Sequence, residues 1–468
     1  VGVAISLAAA RHAVLYKRDP RAAIGWVGVI LLFPFAGTGL YLLLGINRIQ
    51  RRAAHLRRHA HATPALKRTI VRSPHALQTM LPGRTRHLAM LDRIVTTITH
   101  SPLLAGNACS PLENGDQAYP AMLAAIAEAR TSISLSTYIF GNDAAGLPFV
   151  DALAGAARRG VAVRVLIDAV GARYTRPTVR GPLRRAGVTT ALFMPTITPW
   201  HAPYFNLRNH RKLLVIDGHT GFTGGINIRE NNLVQRAQAD TVQDVHFMLR
   251  GPVVAHLQDA FADDWRFTTG EDLSGPCWFP ALDTAGPVIA RGICDGPDED
   301  FDRMAKTLLG ALACAHRSIR IATPYFLPNP TLISALNTAA MRGVSVDILI
   351  PRVNNLRTVG WAMAAQLWQV LEWDCRVWLS PPPFDHTKLL LVDDEWSLIG
   401  SANWDPRSLR LNFEFNVECY CPHLAATLRQ LFERKRAKAE RVRLHDMDSR
   451  SLPVRIRDGV ARLFTPYL

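Results

Sequence analysis

The sequence predicts an α/β protein: two pseudo-symmetric α/β/α half-domains forming one body, preceded by N-terminal transmembrane helices. Three observations carry this. A long stretch of sequence recurs later in the chain. Inside each copy, helix-forming runs alternate with β-branched runs. An uncharged apolar stretch precedes both copies.

That stretch, Ala22 to Ile46, reads AAIGWVGVILLFPFAGTGLYLLLGI, 25 residues long enough to cross a bilayer with some tilt. Trp26 and Tyr41 lie near its ends, where amphipathic rings favour the interface. Pro34, Gly37 and Gly39 would kink it, which membrane helices tolerate. Val1 to Ala10 is a shorter apolar stretch, read as the end of a first span. Residues 1–46 are thus expected to be a transmembrane region with its second span at 22–46. The linker Arg11–Arg21 carries four basic residues and the flank after the second span eight. This bias places the large domain on the cytoplasmic side.

The chain carries a net charge of +16 in 468 residues, a balance that favours an anionic partner, either nucleic acid or an anionic lipid surface. Half of that charge lies between Arg48 and Arg72, where there are eight basic residues and no acid. Beside a membrane, such a segment is attracted to anionic headgroups by roughly 1 kcal/mol per basic residue. Residues 47–100, basic and rich in Ala and His, are expected to form a juxtamembrane linker. The seven cysteines are scattered, with no C-x-x-C pair and no zinc spacing. They are expected to be mostly buried thiols in a reducing compartment, with no metal bound.

The repeat starts beyond Gly106. Ala125–Phe140 (AIAEARTSISLSTYIF) and Ala152–Asp168 (ALAGAARRGVAVRVLID) match Ala311–Pro328 (ALACAHRSIRIATPYFLP) and Ala335–Pro351 (ALNTAAMRGVSVDILIP). Each copy is a helix, a β-rich run, a second helix, then R-G-V and a strand. Gly160 and Gly343 stand where helix C-caps belong. The first half is placed at 101–270, the second at 271–425, and a basic C-terminal helical tail at 426–468. A mainly parallel or mixed sheet is expected in each half.

Each half carries one further signature. His210-Arg-Lys212-Leu-Leu-Val-Ile-Asp217 is followed by Gly224-Gly225-Ile-Asn227. His386-Thr-Lys388-Leu-Leu-Leu-Val-Asp393 is followed by Gly400-Ser401-Ala-Asn403. The apolar runs make each motif a strand, where residues two apart face the same way. His and Lys of each copy are therefore expected to point into one space. Asp217 and Asp393, at odd spacing, are expected to face the other side and act structurally. The set suits phosphoryl chemistry: one imidazole attacks phosphorus and a second protonates the leaving alkoxide. Lysine ammonium and asparagine amide groups hold the phosphate oxygens, and no metal is then required.

At these residues the chain resembles the phospholipase D superfamily, whose hallmark is a paired His-x-Lys-x4-Asp motif, and within it the bacterial cardiolipin synthases. The likeness runs from KRDPRAAIGW and LLFPFAGTGLYLLLG through STYIFGND, RNHRKLLVIDGHTGFTGGINI, DHTKLLLVDDEWSLIGSANWDPRS and LNFEFN to ARLFTPYL. It implies two phospholipase D-like halves, a multi-pass protein of the bacterial inner membrane, and an anionic phospholipid substrate, phosphatidylglycerol. It implies no cofactor and no nucleic acid, and leaves the oligomeric state open. By the resemblance, His210, Lys212, Asp217, His386, Lys388 and Asp393 are the catalytic set. His210 would attack the first lipid through a phosphatidyl-histidine intermediate, and His386 would act as acid and then base, although pseudo-symmetry allows the reverse. Asn227, Asn403 and the hydroxyl of Ser401 would bind the phosphate. At Gly225 the first copy lacks that hydroxyl. An acidic residue after each motif would orient a histidine through its second nitrogen: Asp244 in QDVHF and Glu414 in NFEFN.

Tyr138 and Tyr325 end corresponding strands and either line the site or pack in the core. Trp361, Trp368, Trp373 and Trp378, with Trp200, suit either a lipid-facing surface or ordinary packing. LFERKRAKAERVRL reads as a basic helix, membrane-bound or solvated. Three other functions remain at this stage: a hydrolase with water as acceptor, a nuclease, and a membrane scaffold with dead sites. Phosphatidylserine synthesis is a further related transfer.

Overall fold

The computed structural model describes residues 2–17, 20–45, 70–71, 74–81, 83–195, 207–236, 238–297 and 302–465. Two compact units emerge. One is residues 1–59 with 196–207; the other is residues 60–195 with 208–468.

Among its described residues the N-terminal unit holds three α-helices, α1 (Gly2–Tyr16), α2 (Pro20–Leu32) and α3 (Pro34–Leu40), and a π-helical turn at Tyr41–Gly45. The expected single span over 22–46 is corrected here. Pro34 has no N–H and disfavours the α conformation in the residue before it, and Phe33 accordingly leaves the helix at φ −130, ψ 73. The 13 residues of α2 reach only about 20 Å. Among the described residues, no helix is long and apolar enough to cross a membrane. Ser6 Oγ donates to the Pro34 carbonyl at the break (2.8 Å). At Gly37 a Cβ would fall 2.2 Å from the Val29 carbonyl oxygen, so α3 approaches α2 more closely than a side chain allows. Most of the basic run 48–72, and Trp200, lie outside the described residues.

In the larger unit one seven-strand plan occurs twice, as two sheets joined edge to edge, with further short strands at their edges. The first uses β1 (Leu103–Glu113), β2 (Ser132–Thr137), β3 (Ala162–Asp168), β4 (Thr190–Phe193), β5 (Leu213–Ile216), β6 (Thr220–Gly224) and β7 (Val245–Arg250). The second uses β8 (Val288–Asp295), β9 (Ser318–Ala322), β10 (Ser345–Pro351), β11 (Arg376–Ser380), β12 (Leu389–Val392), β13 (Trp396–Gly400) and β14 (Asn412–Tyr420). Their orders are β4-β3-β2-β5-β6-β7-β1 and β11-β10-β9-β12-β13-β14-β8. In each sheet the first three strands are parallel and the rest antiparallel, so the sheets are mixed. β8 pairs antiparallel with β1 and joins them.

Of the helices of this unit, those that bear on the core and the site are, in chain order, α4 (Asn114–Glu128), α5 (Gly146–Arg158), α6 (Val254–Thr269), α7 (Arg303–Cys314), α8 (Pro330–Met341), α9 (Arg357–Ala364), α10 (Pro422–Arg436) and α11 (Leu452–Leu463). Gly160 and Gly343 take left-handed φ after α5 and α8. On the outer face of the first sheet, Ile126, Phe149 and Leu153 pack on Ile133, Leu135 and Leu214. On that of the second, Leu308, Leu312 and Leu336 pack on Ile319, Val346 and Leu390. Between the sheets, Leu257 and Phe261 of α6 and Leu428 and Phe432 of α10 share one core with Leu213, Leu391 and Phe415. Each motif strand is thus apolar on both faces because helices cover both.

Three expectations are corrected in this unit. Residues 74–99 are no linker: Leu77, Leu88, Leu91 and Val95 lie in the core of the second half. The tail helix stops at Arg436, and Glu440–Val442 instead pairs with β11. Of the seven thiols, Cys375, Cys419 and Cys421 are buried, Cys109, Cys294 and Cys314 half-buried, and Cys277 exposed.

Candidate active site

β5 and β12 begin at Leu213 and Leu389, one residue after each lysine. His210–Lys212 and His386–Lys388 therefore precede the strands and do not lie within them, as the regular-strand reading expected. They are fixed instead by the opposite half. Arg208–Asn209 pairs in parallel with Asn412–Phe413, and the His210 N–H donates to the Phe413 carbonyl (2.9 Å). Phe384–Asp385 pairs in the same way with Val242–Gln243, and the His386 N–H donates to the Gln243 carbonyl (2.7 Å).

The carboxylates cross over too. His210 Nδ1 lies 3.0 Å from Glu414 Oε2, and His386 Nδ1 lies 2.7 Å from Asp244 Oδ2. Each acid follows the motif of one half and holds the histidine of the other. Both acids are buried. Burial pushes their pKa values up, but nearby charge outweighs it: Lys388 and His386 lower Asp244, and His210 and Lys212 lower Glu414. An ionised carboxylate at each Nδ1 favours the tautomer with its proton there and the lone pair on Nε2; at His386, Lys388 Nζ also lies 2.8 Å from Nδ1. Burial, with Lys388 adding to it, pushes His386 down to about 4; burial also lowers His210. Both imidazoles are thus neutral near pH 7.

Lys212 Nζ donates to the His210 carbonyl (2.8 Å), and Lys388 Nζ to the His386 carbonyl (2.6 Å). Burial lowers these lysines to about 7 and about 8. Two ammonium groups opposite two carboxylates make the buried cluster close to neutral. An arriving phosphate would add negative charge and draw protons onto all four nitrogen bases.

Both histidines, Asn227 and Asn403 line one cavity of about 480 Å³. The amide oxygen of Asn227 accepts from Ile139 N–H (3.2 Å), which leaves its NH2 group as a donor for the cavity. Asn403 donates to Ser408 Oγ (3.0 Å). Ser401 departs from expectation. Its hydroxyl is fully buried and donates to Glu414 Oε2 (2.5 Å), so it supports the carboxylate and makes no cavity wall. The glycine in the first copy has the matching cause. A Cβ at Gly225 would fall 2.3 Å from Asp244 Oδ2, and its N–H already donates to the Val245 carbonyl.

Asp217 and Asp393 stand beyond the far ends of β5 and β12 and line no cavity wall. Asp217 accepts from the backbone N–H groups of Arg130, Thr131 and Ser132; Asp393 accepts from those of His316, Arg317 and Ser318. They tie each motif strand to the start of β2 or β9. Their contacts are those of structural residues behind the site, as the odd spacing from histidine and lysine implies.

Tyr138 and Tyr325 line the cavity edge-on to His210 (5.2 Å) and His386 (6.2 Å). The sequence reading missed Arg208, Arg229, Arg407 and Tyr174, which also line it. Burial and the charge of Arg208 lower Arg407, a sign of a cationic cavity. Arg208 could have been found, since it stands two residues before His210 in extended chain. Arg407 follows its motif through a turn and gave no periodic signal. Among the described residues no cluster of His, Cys, Asp or Glu could hold a metal ion.

Comparison with known proteins gives a consistent picture. A family profile described as cardiolipin synthase, PLD-like domain, matches residues 122–265 and 308–436. A second, described as phospholipase D-nuclease N-terminal, matches residues 4–45. The chain is similar to a cardiolipin synthase of Geobacillus kaustophilus, at 32% identity over 97% of this chain and 90% of that one. It is also similar to the major cardiolipin synthase ClsA of Bacillus subtilis, at 31% identity over 97% and 95%. The fold is similar to that of a phosphatidylserine synthase from Haemophilus influenzae, with a TM-score of 0.64 and 16% identity over 81% of this chain and all of that one.

Proposed function

The chain belongs to the PLD-like cardiolipin synthase family, and from that premise we propose that it transfers a phosphatidyl group from one phosphatidylglycerol to another through a phosphatidyl-histidine. His210 Nε2 attacks phosphorus, the bond from phosphorus to the glycerol oxygen breaks, and that oxygen takes a proton from His386 Nε2. His386 then removes the proton from the headgroup hydroxyl of a second phosphatidylglycerol. The new alkoxide attacks the same phosphorus, the P–N bond breaks, and cardiolipin leaves. His386 needs its proton for the first step, and the negative charge of the bound phosphate supplies the upward shift.

Asn227 and Asn403, on the cavity wall, hold the phosphoryl oxygens as charge develops, and Lys212 and Lys388, buried behind the wall on the histidine carbonyls, turn to them when phosphate arrives. Glu414 and Asp244 keep each Nδ1 protonated and each Nε2 turned to the substrate, as the acid of a catalytic triad does. One observation carries the reading: imidazoles from different halves, each held at Nδ1 by a buried carboxylate, open onto one cavity. The cavity volume falls in the range of small-molecule sites, about 300–1,000 Å³, which suits headgroups with the acyl chains outside.

The N-terminal unit seats the enzyme at a membrane of the cell. The exposed side chains of Val3, Ile5, Leu15, Ile24, Leu32 and Phe35 support this, because so many large apolar side chains exposed on one short segment are unfavourable in water.

The test is incubation of the full chain with phosphatidylglycerol vesicles and a chelator. Cardiolipin and glycerol should appear in equal amounts, and His210→Ala or His386→Ala should abolish both. Phosphatidic acid as sole product would replace the reading with hydrolysis. Cleavage of DNA without lipid turnover would replace it with a nuclease.

A further inference from the structure

The 12-residue helix α11 is built inside out for a helix in water. Its inward side carries Asp458 and Ala461, both buried. Arg450 Nη1 reaches Asp458 Oδ2 at 2.8 Å and Arg457 reaches Oδ1 at 2.7 Å. The Arg457 guanidinium also sits over the Trp361 ring at 4.6 Å. These contacts pin the helix against α9.

Its outward side carries Leu452, Ile456, Val460 and Leu463, spaced four, four and three residues apart, which is one stripe of a helix. They are 67%, 57%, 49% and 76% exposed. A water-facing helix would reverse this arrangement. Arg455 and Arg462 flank one edge of the stripe by helical position, while Arg457, on the other edge, is turned inward to Asp458 and Trp361. The one acid of the helix, Asp458, is buried and paired. Beside the helix is a cleft of about 440 Å³ whose walls include Trp368, Met447, Arg455 and Arg462.

We infer that the outward stripe of α11 lies in the interface of an anionic phospholipid bilayer, with its flanking arginines on the headgroup phosphates and the catalytic body held against the membrane. The charge pattern selects this occupant: apolar side chains bordered by the cations Arg455 and Arg462, with the helix's one acid buried and paired, match acyl chains below a layer of phosphates. The placement gives it a purpose. α9, which α11 covers, also contributes Val359 to the wall of the active-site cavity. The stripe therefore lies one helix away from the cavity. The choice of phosphatidylglycerol as the anionic lipid rests on the proposed function.

The test follows backbone amide exchange of residues 452–464 in the full chain, in vesicles of phosphatidylcholine alone and of phosphatidylcholine with phosphatidylglycerol. Exchange should slow about tenfold or more with phosphatidylglycerol present, at any protein concentration. Ile456→Asp with Val460→Asp should abolish the slowing and leave exchange in β12, the control for folding, unchanged. The same variant should turn over monomeric dihexanoyl-phosphatidylglycerol as the parent does, but vesicular phosphatidylglycerol about tenfold more slowly. Equal exchange with and without phosphatidylglycerol, or in parent and variant, overturns the inference. So does a slowing that tracks protein concentration, which would assign the stripe to a second copy. Protection without cardiolipin formation would sink the reaction and leave the membrane contact standing. Cardiolipin formation without protection would sink the contact alone.

Discussion

Replacing Glu414 with glutamine keeps the shape of the side chain and removes its charge. In the parent, Glu414 is fully buried and accepts from His210 Nδ1 (3.0 Å), Ser401 Oγ (2.5 Å) and Asn412 Nδ2 (3.1 Å). A hydrogen bond to a charged group contributes about 1.5–3 kcal/mol. Glutamine also offers an NH2 that can turn the imidazole to the wrong tautomer, which in a comparable triad lowered kcat by about 10⁴. A transition-state loss of about 2–5 kcal/mol follows, or roughly 30- to 5,000-fold at 1.36 kcal/mol per decade. The sign of the pH effect is also fixed. Glu414 raises the proton affinity of His210, so its removal lowers that affinity. Any acid limb of kcat/KM that reports His210 must then move to lower pH. The assay is cardiolipin formed from phosphatidylglycerol vesicles between pH 5 and 9, with thermal unfolding to confirm the fold. Activity within twofold of the parent, or an acid limb moved to higher pH, would refute the argument that Glu414 of one half serves the histidine of the other.

Further expectations come from the same geometry. Gly225→Ser places a Cβ against the Asp244 carboxylate; overpacking of this kind costs about 1–3 kcal/mol, and both melting temperature and turnover should fall, whereas Ser401→Gly should spare the melting temperature more. Lys212 and Lys388, at about 7 and about 8 in the empty site, lose their charge as pH rises, so kcat/KM should fall above this range while kcat, set by the phosphate-bound site, holds to higher pH; parallel profiles would count against the lysines as phosphate ligands. Glu418→Gln leaves the buried Arg291 with Asp92 (3.1 Å) as its remaining carboxylate, so the loss should stay below the about 3–5 kcal/mol of a fully broken buried pair, readable as a lower midpoint in denaturant.

The sequence by itself settled the doubled α/β plan. Each half must bury a strand on two faces, and LLVI and LLLV say so without context. It also pointed to which residue types gather at the site, because the same histidine, lysine and asparagine recur at the same spacings in both copies. The structure alone decided how the copies engage. Nothing local in NFEFN or QDVHF tells Glu414 and Asp244 to reach the histidine of the opposite half; that follows from short parallel pairings between chain segments far apart in sequence. The role of Ser401 and the glycine at 225 turned on the same contacts, since one depends on where Glu414 ends and the other on where Asp244 does. The apolar N-terminal stretch misled for a related reason. Hydropathy counts residues, whereas Pro34 acts on backbone geometry, and a missing N–H with a clash at the residue before it ended the helix inside a run that composition read as continuous.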